Sequence, residues 1–306
     1  LSSPMYPQWQ SDTFTQEILA TYGTVVTPTA VAVSAKTANP AWPTGAIFVT
    51  NALNDYPTES GEAMSNVNLG SLPIYGLKFD WGTTLGATTD GGPKRKAVLM
   101  YGQHAQGEAQ ASISFYGALR WLLSSADAAA VALRRNFVFY VYYNINGSGI
   151  KGGHRRLSYG TGAANTNMAQ DLNRIWTQAS PICPEIASTK AAITGDTSSA
   201  VDVFLDWHGT GFTRGMYNIV GSNTYLPANL TRWNTLAAAH FDMTLADMQS
   251  AAPSGYMMDY AYTTLGAKFS CGVEHSQRGT NTKEYRETTG INWLKTLRSA
   301  DADKMF

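Results

Sequence analysis

The stretch "KAVLMYGQHAQGEAQASISFYGALRWLLSSA", residues 96–126, decides the fold. Its first part, residues 96–102, is a short apolar run of the length of a buried strand. Its last part, residues 108–126, places Ile113, Tyr116, Ala118, Leu119, Leu122 and Leu123 at helical spacing, with good helix formers between them. Gly107 marks a break between the two. Strand, turn and helix therefore follow one another within about thirty residues.

The same alternation continues outward. "LPIYGLKFDW" (72–81) alternates like a strand, and "NFVFYVYYNIN" (136–146) is rich in the aromatic and β-branched residues that strands favour. "AVDVFLDWHG" (200–209) and "GAKFSCGVEHS" (266–276) read as two more strands. "PEIASTKAAIT" (184–194), "ANLTRWNTLAAAHFDMTLADMQS" (228–250) and "KEYRETTGINWLKTLRSA" (283–300) read as helices, the first with Pro184 at its start. Residues 1–60 are the hardest to assign, with a short helix at 12–23 and a strand at 45–53. Residues 147–170 form a long Gly- and Asn-rich loop. Strands alternating with helices predict an α/β fold: a mixed, largely parallel central sheet with helices on both faces. One catalytic-size domain over residues 1–306 is expected.

Composition removes several classes of function. Charged residues are 14% of the 306 and the formal net charge is zero. No basic patch invites nucleic acid and no polybasic segment invites an anionic membrane. No apolar run approaches the roughly 20 residues of a membrane span. No signal peptide stands at the start, and Leu1 in place of an initiator Met is compatible with a processed or secreted form, or with an excised fragment. Cys183 and Cys271 lie far apart without metal-ligand spacing, and leave both redox compartment and mutual pairing open. Oligomeric state is equally open.

In parallel α/β sheets ligands gather beyond the carboxyl ends of the strands. His104 follows the strand at 96–102, His208 ends the strand at 201–207, and Glu274 lies near the end of the strand at 267–273. Parallel strands bring all three to one rim. Two histidines and a carboxylate are a familiar catalytic zinc set, leaving one position for water. His104, Glu108 and His208 can supply the ligands and Glu274 a general base. Arg155, Arg156 and Arg174 offer cations for an oxyanion.

Four segments together resemble the zinc carboxypeptidase family: "YGQHAQGEAQAS" its first zinc segment, "DLNRIW" (171–176) its Asp-Leu-Asn-Arg segment, "DWHG" (206–209) its second histidine segment, and "GAKFSCGVEHS" its late glutamate strand. Order and approximate spacing match from about residue 70 to 300. The resemblance implies one Zn2+ per chain on His104, Glu108 and His208, with a metal-activated water and Glu274 as general base. It implies that Asn173 and Arg174 grip the substrate's terminal carboxylate, and that Arg156, or its neighbour Arg155, stabilises the oxyanion. "PSGYMMDYAY" (253–262) resembles the family's specificity loop and places Met258 near the floor of the side-chain pocket.

Two departures stand out. His104 and Glu108 are one residue further apart than the family's His-x-x-Glu pair; a loop absorbs that residue, whereas in a regular helix it swings Glu108 by roughly 100°. The mobile tyrosine of the family's digestive members is missing, and Tyr256 is its nearest substitute. The implied function is a carboxypeptidase acting on peptides. The alternative is a deacylase or amidase of the same architecture, acting on N-acyl amino acids or on cell-wall or other modified substrates, since "CGVEHSQRG" also resembles the glutamate segment of the desuccinylase and aspartoacylase relatives. Those carry a substantial β domain after that glutamate, whereas 32 mostly helical-looking residues follow here, which favours the carboxypeptidase. A non-catalytic binding module is a third reading, disfavoured by retention of Glu274 and every candidate ligand.

Overall fold

The computed structural model describes residues 8–29, 74–104, 108, 111–146, 157–158, 169–170, 172–178, 184–210, 218–219, 227–241, 255–276 and 282–306. Among them runs a seven-stranded sheet in the order β1-β2-β4-β3-β7-β9-β8, with a separate two-stranded ladder of β5 (Leu157–Ser158) and β6 (Ala169–Gln170). The main sheet comprises β1 (Val26–Pro28), β2 (Tyr75–Phe79), β3 (Arg95–Tyr101), β4 (Phe137–Tyr143), β7 (Val203–Thr210), β8 (Asn218–Ile219) and β9 (Phe269–Ser276). β4, β3, β7 and β9 pair parallel, and the antiparallel strands β1, β2 and β8 lie outside them. The α/β class and the mixed, largely parallel sheet expected from the sequence are what the chain forms.

Strict two-residue alternation splits the core into two layers. Ala97, Leu99 and Tyr101 of β3, with Val203, Leu205 and Trp207 of β7, enter one apolar cluster; Val98, Met100 and Phe204 enter the other. The first layer is closed by α1 (Gln8–Tyr22), α2 (Ala111–Ser124), α3 (Ala128–Asn136), α5 (Pro227–Ala238) and α7 (Lys283–Ala302). The second is closed by α4 (Pro184–Thr197) and α6 (Met257–Thr263). Because both faces are covered, the strands read as near-continuous apolar runs. Asp206 and His208 share the face of Phe204, so these polar groups project into the second layer, among largely apolar neighbours.

Two helices differ from the sequence reading. Residues 128–136 form α3, in a stretch that the sequence reading left unassigned: Asp127 accepts a bond from the Ala129 N–H at 2.8 Å, and the Ala-rich run behind it has high helix propensity. Within the expected specificity loop, residues 257–263 form α6, after which Gly266 turns the chain at φ +64°. The helix expected over 228–250 is α5, with residues 242–250 outside the described set, as is the strand expected at 45–53. No helix among the described residues is long and apolar enough to cross a membrane.

α2 and α7 cross closely enough to require small residues. A Cβ on Gly290 would stand 2.0 Å from the Ser114 carbonyl oxygen, and one on Gly117 2.7 Å from Cγ of Glu287. Alanine is the better helix former by about 1 kcal/mol, but overpacking against a backbone atom costs about 1–3 kcal/mol or more. Gly290→Ala should therefore lower stability by about 2 kcal/mol, measured as a lower urea midpoint at unchanged slope; an unchanged or raised midpoint would refute the close crossing.

Candidate metal centre

The parallel register brings the candidate residues together. His208 pairs with Glu274 across the β7–β9 ladder, and Met100 and Tyr101 at the end of β3 pair with Asp206 and Trp207. β3 leaves the sheet through Gly102 at φ +95°, where a Cβ would lie 3.2 Å from the Asn144 nitrogen. Asn144 itself is left-handed, at φ 64°, a region asparagine tolerates better than most residues. The Asn146 N–H donates to the Gly102 carbonyl at 2.7 Å and its side-chain amide to the Gln103 carbonyl at 3.2 Å. The end of β4 thus straps down the end of β3, immediately before His104.

Glu108 stands between the two histidines. Its Oε1 is 2.8 Å from His104 Nδ1, and its Oε2 is 2.8 Å from His208 Nδ1. Oε2 also accepts the Gly209 N–H at 3.1 Å. The three side chains are each no more than 5% exposed. They offer ligand atoms that all lie within 4.8 Å of one another. Burial alone would push the Glu108 carboxyl upward, yet the flanking imidazoles hold it well below its ordinary value. Burial disfavours a charged His208, but Asp206 and Glu108 on its two sides outweigh that and raise it well above 6.5. Asp206 is raised, because its own burial prevails over the pull of His208.

This donor set fits a divalent metal. The outer nitrogen of His208, Nε2, is bonded to Asp206 Oδ2. A neutral ring that donates there presents a lone pair at Nδ1, facing a carboxylate oxygen at 2.8 Å. Two electron-rich atoms at that distance require a cation between or beside them, either a proton or a metal ion. Two imidazole nitrogens with one carboxylate, and a second carboxylate behind one ring, is the chemistry of a zinc site with its outer partner.

The other expected residues lie around this cluster. Asn173, on the short 3-10 turn Leu172–Arg174, has its amino group 3.2 Å from His208 Nε2, and its carbonyl oxygen accepts the Met257 N–H at 2.9 Å. Arg174 is exposed; its guanidinium donates to the Asn173 carbonyl at 2.9 Å and lies 3.9 Å over the Tyr256 ring. Glu274 is buried at the end of β9. Met258 is fully buried in the second apolar layer on α6. Arg155 and Arg156 lie outside the described residues, as does Cys183, while Cys271 is a buried free thiol. Sequence reading missed Asp206, although a carboxylate two residues ahead of His208 on a buried strand must share its face.

Solved structures share this architecture. A metallo-carboxypeptidase from Pseudomonas aeruginosa, in complex with (2-guanidinoethylmercapto)succinic acid, matches at TM-score 0.67 and 17% identity, over 97% of this chain and 69% of that one. The fold is that of the metallo-carboxypeptidases. The carboxypeptidase A of Helicoverpa armigera shares it at TM-score 0.64 and 16% identity, over 98% of this chain and 74% of that one. A metallo-carboxypeptidase from Burkholderia cenocepacia shares it at TM-score 0.60 and 19% identity, over 78% of this chain. This chain spans 64% of the Burkholderia structure's length, just under two thirds. No family model and no curated protein matches the sequence. Identities this low carry the fold, and the chemistry of this carboxypeptidase-fold chain is argued from its own residues.

Purified protein dialysed against zinc should retain close to one equivalent per chain by elemental analysis, and His208→Ala should lose it. Folded parent protein that retains none would remove the metal centre.

Proposed function

We propose that the chain is a zinc-dependent hydrolase, most specifically a metallocarboxypeptidase that removes a C-terminal residue from peptides. The observation that carries this reading is the buried convergence of His104, Glu108 and His208 donors at the carboxyl rim of the parallel strands. These three residues would hold the zinc. Bound there, zinc would acidify a water and polarise the carbonyl under attack.

Glu274 supports the reading by its place opposite His208 on the ladder. Its role would be to take a proton from the attacking water and return it to the leaving amine. Asn173 and Arg174 would hold the terminal carboxylate of the substrate; a guanidinium matches it bidentately. The Tyr256 ring under Arg174 restrains that planar group without consuming its N–H edges. Arg156, with Arg155 as the alternative, would donate to the oxyanion. Met258 would contribute to an apolar wall behind the terminal side chain, favouring apolar or aromatic residues there. A peptide is the substrate this set fits best; an N-acyl amino acid also offers a free carboxylate beside an amide.

Glu274→Ala should reduce turnover of C-terminal reporter peptides by a factor of about 10²–10⁴ while zinc content stays at the parental value. An active, zinc-loaded mutant would mean that another group moves the proton. Arg174→Ala should raise KM for peptides with a free C-terminal carboxylate far more than it changes kcat. Equal cleavage of C-terminally amidated peptides by the parent would overturn the exopeptidase assignment, and turnover of N-acyl amino acids in its place would establish the deacylase.

A further inference from the structure

The mechanism above makes no use of Gln103, the residue immediately before His104. Its side chain is buried, and both ends of its amide are engaged. The Trp176 indole N–H donates to its Oε1, and its Nε2 donates to Asp206 Oδ2. Trp176 and Asp206 are themselves fully buried. The direction of the amide follows from chemistry alone. An indole can only donate, and an ionised carboxylate can only accept. Reversing the amide would set N–H against N–H on one side and oxygen against oxygen on the other.

Asp206 Oδ2 is therefore gripped from two directions, by Gln103 and by Nε2 of His208. Trp176 follows the Leu172–Arg174 turn by two residues and is tied to Gly255 by a backbone bond of 3.0 Å. A continuous chain of directed bonds thus runs from that turn through Trp176, Gln103 and Asp206 to the outer nitrogen of His208.

We infer that Gln103 is a positioning residue of the metal centre: by anchoring Asp206 against Trp176 it fixes the tautomer and ring angle of His208. The inference rests on the zinc reading of His104, Glu108 and His208. It differs from a packing role, because an apolar side chain of the same length would fill the space and yet release Asp206.

The test compares zinc-loaded parent, Gln103→Met and Trp176→Phe. Zinc dissociation constants are measured by competition with a chromophoric chelator, and the visible absorption of the Co2+-substituted proteins is recorded alongside. Gln103→Met should weaken zinc about ten- to a hundredfold and alter the cobalt band. Trp176→Phe leaves the amide in place but removes its donor, and should weaken zinc by a smaller factor with a band shift of the same sense. It carries the test alone if Gln103→Met does not fold. Leu133→Ala, a cavity on α3 just ahead of the start of β4 and so at the opposite end of the strands, should lower stability yet bind zinc as the parent does, which separates positioning from general loss of stability. Folded variants with zinc constants within twofold of the parent and superimposable cobalt spectra would overturn the role of Gln103. A folded parent that binds no zinc would instead overturn the metal reading beneath it.

Discussion

A single carboxylate held between two buried imidazoles is the constraint on which the site depends. Glu108 takes His104 on one oxygen and His208 on the other, and Oε2 also takes the Gly209 amide. In a low-dielectric interior each polar group of such a cluster is costly to bury unless it is paired. That demand extends outward. The free nitrogen of His208 needs Asp206, and Asp206, fully buried, needs Gln103. Gln103 in turn needs Trp176. A polar centre of this kind cannot be added to an arbitrary sheet; its supporting bonds reach into three separate segments of the chain.

The backbone pays for this arrangement at a few positions. Gly102 adopts φ +95° where the chain leaves β3, and Gly255 adopts φ +106° where a Cβ would stand 2.3 Å from the Arg174 carbonyl oxygen. The first brings His104 to the rim. The second lets α6 approach the turn that carries Asn173 and Arg174, so that the Met257 N–H can reach Asn173. Larger residues at either place would meet both steric and dihedral penalties. The strap from Asn144 to Asn146 adds directed bonds to the same corner. Gly102, Asn144 and Gly255 thus set three left-handed residues around the candidate site, while Ser198, Ser199 and Lys304 adopt the same region in turns elsewhere.

Much of the fold was legible because burial on both faces writes itself into long apolar runs. β3, β4, β7 and β9 were readable for that reason, and so was the common rim of His104, His208 and Glu274, which needs only parallel strands of similar length. α3 was not separated from the connection around it, because it is short and its apolar face is narrow. α6 was hidden by the Gly and Pro just ahead of it, which signal a loop. Asp206 was within reach of a two-residue argument on β7. Gln103 was not: its partners Trp176 and Asp206 are 73 and 103 residues away, and no local pattern announces such a bond.

The spacing of His104 and Glu108 shows why a motif can stretch without losing its geometry. In a helix each residue advances by roughly 100°, so one insertion would turn the carboxylate away from its partner. Glu108 instead stands in a turn ahead of α2, its carbonyl accepting the Ala111 N–H at 3.0 Å. Its side chain is oriented from the far side, by the Gly209 amide and His208 at the end of β7. His104 is oriented by the exit of β3. The two candidate ligands are thus oriented from different strand ends. A chain that reaches roughly 3.3–3.6 Å per residue has slack to spare over four steps. The distance between the two candidate ligands is therefore governed by the sheet register, and the number of residues between them can drift while the register holds.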